Sequence, residues 1–231
     1  MAIAVVIGAD RGIARSICLQ LARRGDHVLA ACLGDAPHEL RSAQVEVESG
    51  VDVTSDVAVA RLAQRLRGQY ARLDALYHVA GIMLMSEVGK GIEQLDPDDV
   101  RRQFEVNTLG PLRVIKALVP LLQSRSRVGI VTSRVGSLAD NTSGGQYGYR
   151  ISKAAANMLG LNLHRELGAR GIAVVCLHPG MVATDLTKAY PGEFKYITPD
   201  QAAAGLIEQM DKLTVASAGV FRHANGDLLP W

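Results

Sequence analysis

"IAVVIGADRGIA", residues 3–14, decides the fold. Its first five residues are apolar and mostly β-branched, with no polar alternation, the composition of a strand buried on both faces. Gly8 and Gly12 follow and open a stretch of helical period, GIARSICLQLARRG. A glycine turn between strand and helix is the context phosphate binding requires. Gly8 permits the tight turn, and Gly12 lets a pyrophosphate approach the N–H groups at the positive end of the helix. The spacing is G-x-x-x-G-x-A rather than G-x-G-x-x-G, and taken alone it fits a plain turn as well as a cofactor site. No basic leader precedes the apolar run, so it predicts a buried strand rather than a signal peptide.

Outward from this segment the same alternation repeats. Short apolar runs stand at 27–32, 45–53, 73–79, 127–132, 172–177 and 219–221, and between them lie helical patterns such as VAVARLAQRLRGQY and SKAAANMLGLNLHRELGARG. Such alternation predicts right-handed βαβ units. The expected fold is α/β, a doubly wound, mostly parallel seven-stranded sheet with helices on both faces and ligands at the carboxyl ends of the strands. No Pro/Ser linker, low-complexity tract or repeat divides the 231 residues, so residues 1–231 are expected to form a single domain. The stretch DLTKAYPGEFKYITPD, 185–200, has the least periodicity and is the candidate for a mobile substrate loop.

Formal charge is +2, with cations interspersed among anions, and no apolar stretch reaches the length needed to span a bilayer. These features point away from nucleic acid and membrane and toward a small-molecule partner. Cys18, Cys32 and Cys176, an odd set without CxxC spacing, suit a reduced, cytoplasmic protein. The histidines show no paired ligand spacing, so no metal is expected.

Further candidates sit where successive strands end. Asp52 and Val53 close the third predicted strand, where an acid and a backbone amide can meet an adenine. Ala80 and Gly81 follow the fourth, where a small pair lets a ribose lie against the chain. With Gly8, Asp10, Arg11, Gly12 and Ile13 they form the expected cofactor wall. The end of the second strand, where a carboxylate selects NAD and a cation selects NADP, carries Cys32 and Leu33 instead. Arg11 can reach a 2′-phosphate, with Asp10 and Asp35 opposing it, so NADP(H) is favoured and NAD(H) stays open.

YGYRISK, residues 147–153, places two tyrosines near one lysine. Tyr149 and Lys153 share a helical face at i, i+4, whereas Tyr147 points elsewhere. A hydride-transfer enzyme acting on a carbonyl must protonate the nascent alkoxide, and an ammonium one turn away stabilises the phenolate that remains. Moving a phenol three units down requires roughly 4 kcal/mol of preferential phenolate stabilisation, shared between the lysine and a positively charged nicotinamide. Ser133 ends the strand RVGIVTS at the rim where a hydroxyl can bond a substrate oxygen. Asn107 falls in a helical stretch disturbed by Gly110 and Pro111, so its amide can fill a backbone gap and hold a water leading to Lys153.

VIGADRGIA, Asn107, Ser133, YRISK and HPGMVATD together resemble the glycine turn, tetrad and proline–glycine segment of the short-chain dehydrogenase/reductase family. The likeness runs over essentially the whole chain, and the loop TSRVGSLADNTSGG and closing GVFRHANGDLLPW look most like the C-factor and sniffer-type carbonyl reductase group. The resemblance implies a Rossmann-type fold and an NADP(H)-dependent carbonyl reductase or alcohol dehydrogenase. It makes Tyr149 the general acid–base, Lys153 its tuner and a ribose contact, Ser133 the group orienting the substrate oxygen and Asn107 the support of a proton relay. It also implies that Asn107, Tyr149, Lys153, Pro179, Gly180, Val182 and Thr184 border the nicotinamide, and that the protein is a homodimer or homotetramer. Ile7 replaces the family's usual threonine, Ala14 its third glycine, and His78–Val79 its usual pair of asparagines. An enoyl reductase of the family spaces Tyr and Lys seven apart, where this chain has Gln146. The alternative reading is a dinucleotide-binding regulatory or signalling protein with vestigial catalysis.

Overall fold

The computed structural model describes residues 1–190 and 192–231. The chain begins with β1 (Ile3–Ile7), α1 (Gly12–Arg23), β2 (His27–Ala31), the short α2 (His38–Ser42), β3 (Glu46–Glu48), α3 (Asp56–Gln69) and β4 (Leu73–His78). Then α4 (Pro97–Phe104) passes through a π turn, Glu105–Leu109, into α5 (Gly110–Leu118). The remainder is β5 (Leu122–Val131), α6 (Tyr147–Gly168), β6 (Ala173–His178), α7 (Pro199–Asp211), β7 (Phe221–His223) and β8 (Leu228–Leu229).

The strands form one sheet in the order β3-β2-β1-β4-β5-β6-β7-β8, parallel except for its last pair. β1 lies between β2 and β4, so the winding reverses there and a crevice opens at its carboxyl end. Val5, Ile7, Leu76 and Ile130 pack with Leu62 and Leu66 of α3 and Val114 and Ile115 of α5. Ala4, Val6, Tyr77 and Val175 pack on the opposite face with Ile17 and Leu21 of α1 and Leu206 and Met210 of α7. Burial on both faces explains why the strands read as unbroken apolar runs.

Several boundaries differ from the sequence reading. β3 is only Glu46–Glu48, because Gly50 turns the chain with φ +70°, leaving Asp52 and Val53 in the loop before α3. β7 starts at Phe221, just beyond Gly219 at φ +71°. Among the described residues the sheet has eight strands rather than seven, and the extra one, Leu228–Leu229, is too short to show a period. Residues 185–200 are closed at the base by a bridge between Val182 and Ile197, and α7 already begins at Pro199, capped by Thr198 with Gln201. Within the loop the rings of Tyr190, Phe194 and Tyr196 lie in series, with centroids 5.6 and 6.2 Å apart; Pro191 lies outside the described residues.

Candidate active site

A cleft of about 990 Å³ crosses the ends of β1, β2 and β4. Gly8, Asp10, Arg11, Gly12, Ile13, Asp52, Val53, Ala80, Gly81 and Thr184 line it. Gly8 takes φ +86°, and a Cβ there would meet the Ala80 Cα at 2.8 Å, so only glycine lets the turn pass β4 this closely. The first turn of α1 has neither a side-chain cap nor an acidic residue, which leaves its N–H groups open to an anion. Ile7 takes no part through its side chain, but its carbonyl accepts the N–H groups of Val79 at 3.1 Å and Ala80 at 3.0 Å. The backbone therefore braces the turn, and the cradle fits the pyrophosphate of a dinucleotide.

Other expected contacts are partly engaged. Asp52 Oδ1 accepts both the N–H and the hydroxyl of Thr54 at 2.8 Å, so its carboxylate also shapes the turn into α3. Val53 packs against Gly110, where a Cβ would come within 2.9 Å of its Cγ2. Pro179 and Gly180 follow directly on β6, and Val182 is buried at its bridge with Ile197.

Two of the four tetrad candidates, Asn107 and Lys153, flank Gly81. A Cβ on Gly81, which lines the cleft, would stand 3.1 Å from Asn107 Oδ1 and 3.2 Å from Lys153 Nζ. Tyr149 is 9 % exposed and Tyr147 36 %, as the i, i+4 argument requires. Lys153 Nζ lies 5.7 Å from the centre of the Tyr149 ring and donates to the Val131 carbonyl at 3.2 Å. Ser133 is half-buried just past β5, and its hydroxyl caps no backbone group.

Asn107 departs from expectation. Its amide does not fill a gap in its own helix; it clamps the main chain of Ile82, with Oδ1 accepting from the N–H and Nδ2 donating to the carbonyl, both at 2.8 Å. Nδ2 also donates to Ser152 Oγ at 3.0 Å. The helix is disturbed by the π turn, where Gly110 N bonds back to the Glu105 carbonyl. Pro111 has no N–H, which removes the ordinary helical donor of the Asn107 carbonyl four residues earlier.

The electrostatics also differ from the simple picture of a lysine lowering a phenol. Burial pushes Tyr149 up to about 12, with hydrogen bonding from Ser133 pulling the other way. Burial alone brings Lys153 down to about 8. Desolvation thus dominates both groups in the protein by itself. His78 is buried beside them and is driven down to about 3, first by burial and then by the Lys153 charge. It stays neutral near pH 7, and its Nε2 has no partner among the described residues.

One contributor escaped the sequence reading. Glu87, 2 % exposed, accepts the N–H of Gly148 at 3.0 and 3.2 Å and that of Tyr149 at 3.4 Å. It caps α6 from a separate segment, because Gln146 is left-handed and provides no side-chain cap. Gln103 fixes the same segment by accepting the Leu84 N–H at 3.1 Å.

Residues 2–193 match the family model described as short chain dehydrogenase. The chain belongs to the short-chain dehydrogenase family. It is accordingly an oxidoreductase. It is 58% identical over 231 residues, all of both chains, to 1-hydroxy-2-glutathionyl-2-methyl-3-butene dehydrogenase of Rhodococcus sp. (strain AD45). Over 161 residues, 69% of this chain and 93% of the relative, it is 38% identical to C-signal of Myxococcus xanthus. Among solved structures, the NADPH-bound carbonyl reductase from chicken fatty liver superposes with a TM-score of 0.84 at 26% identity, covering 100% of this chain and 99% of that one. No helix in the described part of the chain is long and apolar enough to cross a membrane.

Proposed function

We propose that this protein transfers hydride between a nicotinamide dinucleotide and a carbonyl or alcohol, with Tyr149 as general acid–base, in one catalytic domain spanning residues 1–231. The observation that supports the reading is a chain of neighbours: Asn107 and Lys153 flank Gly81 of the cleft, Lys153 lies against the Tyr149 ring, and Ser133 hydrogen-bonds Tyr149, while the same cleft holds an uncapped helix N-terminus. The bound cofactor supplies the hydride and, when oxidised, a positive charge. Tyr149 gives its phenolic proton to the nascent alkoxide, and the Ser133 hydroxyl donates to the same oxygen. Lys153 holds the phenolate, and Asn107 ties the Ile82 main chain beyond β4 to Ser152 of α6.

Bringing a phenol from about 12 to near neutrality requires roughly 7 kcal/mol of preferential phenolate stabilisation. The Lys153 ammonium and the cofactor charge are the sources assigned to it. NADP(H), the expectation carried by Arg11, and NAD(H) differ by the 2′-phosphate, so the choice between them turns on the wall formed by Asp10 and Arg11. The Rhodococcus relative's name specifies an alcohol beside a glutathionyl thioether, and that class is the first to test here. The exposed apolar Leu112 of α5 and Ile151 and Met158 of α6 support a homodimer or homotetramer formed through these helices, and the odd, unpaired cysteines support a reduced, cytoplasmic setting.

The test uses purified protein, both reduced and both oxidised cofactors, and a panel of ketones, aldehydes and alcohols that includes glutathionyl alcohols. Tyr149→Phe should lower kcat by about 10²- to 10⁴-fold while cofactor fluorescence titrations stay unchanged. Turnover retained in that variant would remove Tyr149 from the chemistry. The regulatory alternative, supported by the likeness to C-signal, predicts instead that Tyr149→Phe leaves the biological output intact.

A further inference from the structure

The end of β2 carries no acid in its own sequence, yet a carboxylate stands there. Asp10, from the glycine turn, accepts the N–H of Leu33 through Oδ2 at 3.0 Å and that of Gly34 through Oδ1 at 2.8 Å. It sits close enough to Cys32 that, after burial, its charge pushes that thiol further up. A Cβ on Gly34 would lie 3.5 Å from Asp10 Oδ1, so the loop passes directly against the carboxylate. Two adjacent backbone N–H groups just past a strand are what an arriving anion would use, and Asp10 already fills them.

The neighbouring cations do not reverse this. Arg11, the residue that would receive a 2′-phosphate, pairs with Asp185 at 3.2 Å, and Arg15 pairs with Glu39 at 2.9 Å. Arg102 lines the cleft from α4, beside Glu105 of the π turn. Asp10, Asp52, Glu105 and Asp185 therefore border the same cleft as Arg11, Arg15 and Arg102, and no net positive field awaits another dianion.

We propose that Asp10 makes this site select NAD(H) over NADP(H). Its carboxylate takes the place of the acid that β2 lacks. Two N–H bonds leave lone pairs on both oxygens to accept a ribose hydroxyl, while its charge repels a 2′-phosphate. The inference rests on the nicotinamide-dinucleotide reading and specifies which dinucleotide that site takes.

The experiment is a nicotinamide-fluorescence titration of the full chain with NADH and with NADPH, for the wild type, Asp10→Asn and Asp10→Ser. The wild type should bind NADH roughly tenfold more tightly than NADPH or better, a ratio worth one unit-charge repulsion in a solvated cleft. Each substitution should shift that ratio toward NADPH by a similar factor. Asp10→Ser accompanies Asp10→Asn because an amide turned the wrong way against Leu33 and Gly34 could disturb the loop. A wild-type preference for NADPH, or a ratio unmoved in both variants, overturns the assignment of Asp10 and leaves hydride transfer intact. Binding of neither nucleotide overturns the assignment together with the reading beneath it.

Discussion

Asn107, Lys153 and Glu87 are held by the main chain of neighbouring elements, whereas Arg11 and Arg15 are held by other charged side chains. Asn107 is fixed on Ile82, Lys153 on Val131 and Glu87 on the first turn of α6. Arg11 and Arg15 instead reach exposed or half-exposed carboxylates. Main-chain partners are set by the fold and cannot move without it. Exposed ion pairs contribute little and rearrange readily. One part of the cleft is therefore stiff and expensive to alter, and the other is where selectivity can be changed at small cost to folding.

The largest test of that contrast concerns Lys153. Burial lowers it from 10.5 to about 8, so between those values the unfolded chain binds a proton that the folded protein has released. Stability accordingly rises with pH across this window. At pH 7 the buried ammonium costs about 3 kcal/mol, an order-of-magnitude figure from the shift. Tyr149 runs the other way. Its phenol is raised from 10.0 to about 12 and burial raises the Cys18, Cys32 and Cys176 thiols from 9.0, so these groups lower stability above about pH 9, and the difference between a lysine variant and the wild type is what isolates the lysine. Lys153→Met should unfold at higher urea than the wild type at pH 7, with the advantage shrinking toward pH 10, and should lose turnover. Parallel stability profiles for the two proteins would show that Lys153 is not held charged against its surroundings.

A smaller effect is expected at Gly148. A Cβ there would come within 2.4 Å of Glu87 Oε1, 2.6 Å of Gln103 Nε2 and 3.0 Å of the Val100 Cα. Backbone closes one side of the site and a buried carboxylate the other, so Gly148→Ala should destabilise the fold by about 2 kcal/mol. It should also loosen the cap beneath Tyr149, lowering kcat while cofactor affinity holds. An unchanged urea midpoint would mean that Glu87 can retreat, and the stiffness assigned to this region would be wrong.

What the sequence revealed follows the same division. Tyr149 and Lys153 could be paired because i, i+4 is a local rule, and the buried strands could be read because both of their faces are apolar. β3 and β8 resisted because one is cut short by Gly50 and the other has two residues. Glu87 lies in a segment without period, and its partners at Gly148 and Tyr149 are 61 and 62 residues away. Asp10 was visible as a charge, but its bonds to Leu33 and Gly34 depend on β1 and β2 being neighbours in the sheet. Position in the chain locates such residues, and only the fold says which groups they are occupied with.

Arg11 should give the smallest effect of all. Its guanidinium is 73 % exposed and its partner Asp185 64 %, so the pair at 3.2 Å is screened by water and salt and ties down two long side chains for little return. Arg11→Ala should shift the unfolding free energy by less than about 0.5 kcal/mol. It should also leave NADH affinity within about twofold, because the N–H groups of α1 and the carboxylate of Asp10 remain in place. Removing a cation that truly received a 2′-phosphate would instead weaken NADPH selectively, and more steeply at low salt than at high. A titration of Arg11→Ala with both nucleotides at two ionic strengths separates these outcomes. Selective loss of NADPH would return this part of the cleft to the role its sequence first suggested, and an indifferent response would leave Asp10 as the residue that the cofactor meets there.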